Sequence, residues 1–197
     1  INFIWQRLSF LYKVSLRNLF RNKTRFLMTI AGIGGSFGLL ITGFGLKHSI
    51  YSIVDKQFDE IIQYDGLVAY QSGATIDTDY FADSLSLYSK SVKVAKEDVS
   101  LYVLDDVNAL QDYIRLQGRQ TGKKPTLNDD TVVVSEKLAL LENVAVGDTM
   151  RFTMNDKNYD FIVGAIVENY TFHYIYMPET VYTSLSDQAP EDNLTLF

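Results

Sequence analysis

The chain has 197 residues, 47% of them apolar and 21% charged, with three prolines, which excludes a disordered or collagen-like polypeptide. It has no cysteine, so disulfide scaffolds, thiol nucleophiles and Cys-based zinc sites are excluded as well, and its two histidines, His48 and His173, argue against a His-rich metal site. Charge is uneven: residues 1–54 hold seven Lys/Arg and no Asp or Glu, while residues 55–197 hold eleven Lys/Arg and all 24 acidic residues, formal charges of +7 and −13. The acidic part argues against nucleic acid, whose affinity comes mostly from neutralised phosphates.

At the start, Ile4, Leu8, Leu11, Tyr12, Leu16, Leu19 and Phe20 recur at helical spacing, while Lys13, Arg17 and Arg21 step by four on another face. With Trp5, this predicts an amphipathic helix over residues 1–24, lying on the inner leaflet of a membrane. Residues 26–46, FLMTIAGIGGSFGLLITGFGL, carry no charge. As a helix they extend about 31 Å, close to the roughly 30 Å hydrocarbon core of a bilayer. Thr29, Ser36 and Thr42 are the only hydroxyl side chains in the run, and each is able to bond back to a helix carbonyl. A buried core helix is the competing reading, but such helices seldom run this far without a charge. A cleaved signal peptide has a shorter apolar core and a small-residue cleavage site, which Phe44, Leu46 and Lys47 do not offer.

Six of the twelve glycines fall in this run. Gly34, Gly38 and Thr42 stand four residues apart, as do Ala31 and Gly35, and small residues at that spacing let membrane helices approach closely. The predicted packing partner is another helix of the same membrane protein or of a second copy. Six Lys/Arg lie in residues 7–25, with Arg17, Arg21, Lys23 and Arg25 nearest the span, against Lys47 alone beyond it. That bias puts the N-terminal side in the cytoplasm and the part after about residue 50 outside the cell. The sequence begins with Ile1, and the expectation is a segment of a longer chain.

Ile50, Ile53, Val54, Phe58, Ile61 and Ile62 keep helical spacing, so the span should continue outward over 25–63 and end near Tyr64-Asp65-Gly66, with glycine as a left-handed cap. Beyond it, β-rich runs are expected at 67–71, 92–95, 99–104, 131–134, 150–154 and 159–167, with a hairpin at 155–158. Short helices are expected at 107–116, 135–141 and 178–185, and an exposed loop at 118–130. The outer part, 64–197, is therefore predicted to be α+β and large enough to bury a core.

Little in this part points to chemistry. Ser135, His173 and an aspartate form a triad only on paper, because no framing motif supports them. Asp105-Asp106 and Asp129-Asp130 read as helix-start and turn residues. Tyr170, Tyr174 and Tyr176 cluster around Phe172 and His173, as aromatic packing on a strand or as a docking surface. Asn169-Tyr-Thr171 and Asn193-Leu-Thr195 match glycosylation sequons.

The lead SLRNLFRNKTRFLMTIAGIGG, and the phrases VVVSEKLALLENVAVGDTMRF and IVGAIVENYTFHYIYMP, resemble the FtsX-like (MacB-type) permease family of ABC transporters, most of all its large Gram-positive members. There, Ser135-Glu136-Lys137-Leu138-Ala139 and Gly147-Asp148 match a strand–helix–turn–strand phrase of the extracytoplasmic core domain. Ser135 would cap the helix, and Gly147-Asp148 would turn the chain into the next strand. The resemblance implies a non-enzymatic membrane subunit paired with a cytoplasmic ATPase, with ATP bound only on that partner; no GxxxxGK[ST] occurs in this chain. Family permeases have four core spans, and this chain has one. The alternative is a single-span anchored module whose outer domain binds a ligand as a sensor; a membrane-anchored hydrolase is a third reading and lacks a convergent site.

Overall fold

In a computed structural model the described residues are 10–72, 74, 81, 83–119 and 122–197. Ile4, Trp5, Arg7 and Leu8 of the expected first helix, and Gln120 and Thr121 of the expected loop, lie outside them. The chain separates into two compact units, Ile1–Ser52 and Ile53–Phe197.

The described residues of the first unit are helical. Helix α1 covers Phe10–Arg21 and ends on a basic residue, the sign that its C-terminal dipole favours. One turn residue, Asn22, separates it from α2, Lys23–Asp55. Arg17, Arg21, Lys23 and Arg25 are all exposed. None of the residues of α2 is buried, although the helix is long and apolar enough to cross a membrane. Leu39, Met28 and Phe44 are each at least 70% exposed. Apolar side chains all round a helix need lipid or neighbouring helices to cover them. The hydroxyls of Thr29, Ser36 and Thr42 donate to the carbonyls of Arg25, Gly32 and Gly38, each at 2.9 Å, as expected.

Early in the second unit the helical backbone widens into a π turn, Lys56–Ile61. The helix stops there, before Gly66: Ile62 is already extended (φ −81°, ψ 120°). Glycine at position 66 has a different cause from the expected left-handed cap. A Cβ there would sit 2.5 Å from Cζ of the Phe197 ring, so only glycine admits this close approach.

Among the described residues eight strands follow: β1 Leu67–Ala69, β2 Leu85–Val94, β3 Glu97–Leu104, β4 Val132–Ser135, β5 Thr149–Met154, β6 Lys157–Val167, β7 Tyr174–Pro178 and β8 Leu194–Leu196. Helices α3 (Glu136–Glu142) and α4 (Glu179–Ser186) lie between them, and the expected helix at 107–116 is a single tight turn, Ala109–Asp112. The domain is thus α+β, as expected. Sheet order is β1-β8-β2-β3-β7-β4-β6-β5. The β3–β7 and β4–β6 pairs are parallel. A bridge from Lys93 to Thr153 brings β5 back to β2 and curls the sheet into a closed ring of six strands.

Both faces of this sheet are covered, so consecutive residues are buried on opposite sides. Leu101 and Val103 of β3, Val132 and Val134 of β4, and Ile175 and Met177 of β7 share one core with Leu138 of α3 and Tyr182 of α4. Their neighbours Tyr102, Leu104, Val133 and Tyr176 form the other core with Ile61, Leu110, Leu116 and Leu127.

The turns follow residue chemistry. Asn155 and Asp156 both take positive φ (49° and 60°) and join β5 to β6 as a two-residue hairpin turn. Asn143 (φ 53°) closes α3 and Asp187 (φ 55°) closes α4. Gly147 (φ 95°) turns the chain into β5, while the Asp148 carboxylate accepts the Ala145 N–H at 2.8 Å. Ser135 occupies the start of α3, yet its hydroxyl does not cap the helix. It is buried and accepts the Tyr174 N–H at 3.2 Å, tying β4 to β7.

Candidate functional site at the helix-to-domain junction

Gln57 stands in the π turn at the phase of Ile53 and Ile61, and it is 2% exposed. A buried amide must have its hydrogen bonds met. Its Nε2 donates to Asn169 Oδ1 at 2.9 Å, and its Oε1 accepts the N–H groups of Tyr170 (2.8 Å) and Thr171 (3.3 Å). Asn169 in turn donates from Nδ2 to the carbonyls of Thr171 and Phe172. One side chain thereby fixes the loop between β6 and β7.

Backbone bonds tie the same end of the helix to a second loop. Ile62 pairs with Ile114, Gln63 N–H donates to Tyr113 O (2.8 Å), and Arg115 N–H donates to Ile61 O (2.8 Å). Lys56 completes the junction: its Nζ donates to Tyr170 Oη at 3.2 Å and lies 5.5 Å from the centre of that ring. Arg119 covers the same ring at 5.5 Å, and the Tyr170 hydroxyl donates to Glu168. The bond to Tyr170 raises the Lys56 pKa above its usual value, so Lys56 stays charged here.

The tyrosines around His173 divide between two roles. Tyr174 and Tyr176 belong to β7, stack at 5.7 Å, and meet Tyr102 edge-on at 5.5 and 5.9 Å. Burial drives the pKa of all three phenols upward, so they pack as neutral rings. Tyr170 belongs to the junction instead. Phe172 projects into solvent at 77% exposure from a positive φ of 58°, unusual for a bulky residue.

The paper triad does not assemble as an activated nucleophile. Ser135 is spent on β7, and His173 has Nε2 3.8 Å from Glu97 and a buried Nδ1 without a hydrogen-bond partner among the described residues. Among the described residues no group of three His, Asp or Glu side chains is placed to hold a metal ion. Both sequon asparagines are committed inside the fold, Asn169 to Gln57 and Asn193 to both backbone groups of Ser89.

Asp106 accepts Asn108 N–H at 2.7 Å as a turn residue. Asp105, its neighbour, does something the sequence did not indicate: it joins Glu179 and Asp192. Hydrogen bonding to Asp105, then burial, raises the Glu179 pKa, and burial with Asp105 nearby raises that of Asp192.

Ala31, Gly34, Gly35, Gly38 and Thr42 all sit exposed on α2, and a Cβ at Gly34, Gly35 or Gly38 would meet no atom of the described residues within 4 Å. Gln57 has one signal in the sequence: it stands midway between Ile53 and Ile61, at the four-residue step of that apolar face.

No protein-family profile matches the sequence, and no curated protein matches it. Among solved structures, the periplasmic region of MacB from Actinobacillus actinomycetemcomitans is similar at 15% identity and a TM-score of 0.36, covering 60% of this chain and 58% of that one. The extracellular domain of the noncanonic ABC-type transporter YknZ from Gram-positive bacteria is similar at 14% identity and a TM-score of 0.38, covering 61% of this chain and 66% of that one. The chain thus spans less than two thirds of the length of either.

Proposed function

We propose that this chain is the membrane-crossing unit of an FtsX-like permease subunit. In this reading α1 lies on the inner leaflet, residues 26–46 cross the bilayer, and the domain from about residue 50 stands outside the cell. A separate cytoplasmic ATPase binds and hydrolyses ATP, and its cycle reaches the outer domain through α2 and the π turn, for export or mechanical work at the envelope. The observation that carries the reading is α2 itself: an apolar helix with no buried residue, followed at once by a turn whose Gln57 is bonded into the domain. The charge asymmetry supports the orientation. The family phrase 135–139 coincides with the end of β4 and the start of α3, and Gly147-Asp148 with the turn into β5.

The test is purification of the full-length protein from its native membrane in mild detergent. A permease brings a stoichiometric ATP-hydrolysing subunit with it. Purification with no such subunit contradicts the proposal and leaves the anchored sensor as the reading.

A further inference from the structure

A cleft of about 430 Å³ opens in the outer domain, within the range typical of ligand sites. Four aromatic rings line it: Phe81 and Phe197, stacked with ring centres 4.1 Å apart, together with Tyr64 and Tyr113. Gly66 lets Phe197 reach this position. Three carboxylates, Asp65, Asp83 and Asp112, line the same space, and no Lys or Arg does so among the described residues. The sequence reinforces that sign: residues 57–89 contain six acidic residues and no Lys or Arg.

The Tyr113 hydroxyl lies beside two of these carboxylates, Asp83 and Asp112. Burial, its bond to Asp83 and the nearby charges of Asp83 and Asp112 push its pKa up to about 12. A space lined by aromatic rings and carboxylates has the recognition chemistry of an ammonium group on an apolar body. The rings attract the cation by their quadrupoles, the apolar body covers them, and the carboxylates neutralise the charge.

We infer that this cleft binds an organic ammonium compound with an aryl or alkyl body. The site stands on the outer domain alone and holds whether or not the chain belongs to a permease.

The probe is phenethylammonium chloride, titrated calorimetrically into the full-length protein in nonionic detergent, with phenethyl alcohol as the neutral isostere and calcium chloride as a bare cation. Saturable binding of the ammonium at about millimolar concentration or below is expected, weakened about tenfold or more for the alcohol. The double variant Asp65→Asn/Asp112→Asn should lose a similar factor while its thermal unfolding stays that of the parent. Equal binding of alcohol and ammonium overturns the inference, as does binding within about twofold of the parent in the double variant. No saturable heat from the ammonium overturns it too, and displacement of the ammonium by calcium would assign the carboxylates to a metal ion instead. The alcohol comparison needs no mutation, so a variant that failed to fold would still leave the inference decided.

Discussion

Gln57 concentrates the stability of the junction in a single side chain. Replacing it by alanine leaves Asn169 Oδ1 and two backbone N–H groups without partners in a buried site. Each such group costs about 1–3 kcal/mol, so Gln57→Ala should destabilise the outer domain by about 3 kcal/mol or more in urea unfolding. Glu variants differ in sign: Glu179 has a raised pKa, so its contribution to stability is fullest below its usual value of 4.5 and is lost as pH rises through the folded value. At neutral pH the ionised carboxylate sits unfavourably beside Asp105 and Asp192. Glu179→Gln should therefore raise the melting temperature at pH 7 and leave it unchanged in acid, which thermal scans across pH would show. Gly66→Ala drives a methyl into the Phe197 ring, and the overpacking should cost about 1–3 kcal/mol.

Elements whose residues alternate or repeat on one face were legible in the sequence. β3, β4, β5 and β6, the short helices after Ser135 and Pro178, and the Asn155-Asp156 turn all appear within a few residues of expectation. β2 was legible only at its end, because Leu87 is buried in one core while Val92 and Val94 are buried in the other, so no single alternation runs through it. β8 is three residues long and is made a strand by pairing with β1 and β2. The helix at 107–116 shrank to one turn because Val107, Leu110, Ile114 and Leu116 cover the core of Tyr102, Val133 and Tyr176 from irregular backbone. Asp105 met Glu179 through tertiary packing that sequence neighbours do not reveal. Helix α2 was legible from its charge-free length alone. A Cβ at Gly34 or Gly38 meets nothing within 4 Å beyond the helix's own backbone, so Gly34→Leu/Gly38→Leu disturbs no packing among the described residues. That variant should weaken assembly in size-exclusion chromatography while the outer domain melts unchanged; intact assembly would count against the packing face.

At the scale of the whole molecule, two units of opposite charge are joined along one helical segment, Lys23–Ile61. A +7 unit and a −13 unit are what the positive-inside bias would distribute across a bilayer. The account rests on that distribution, and the absence of native cysteine makes it measurable without background from this chain. The exposed positions Thr24 and Ser91 flank the span in sequence. In the full-length protein, Ser91→Cys should react with a membrane-impermeant maleimide added to whole cells, and Thr24→Cys should react only after the membrane is opened. Labelling of Thr24→Cys from outside, or protection of Ser91→Cys until lysis, would contradict it.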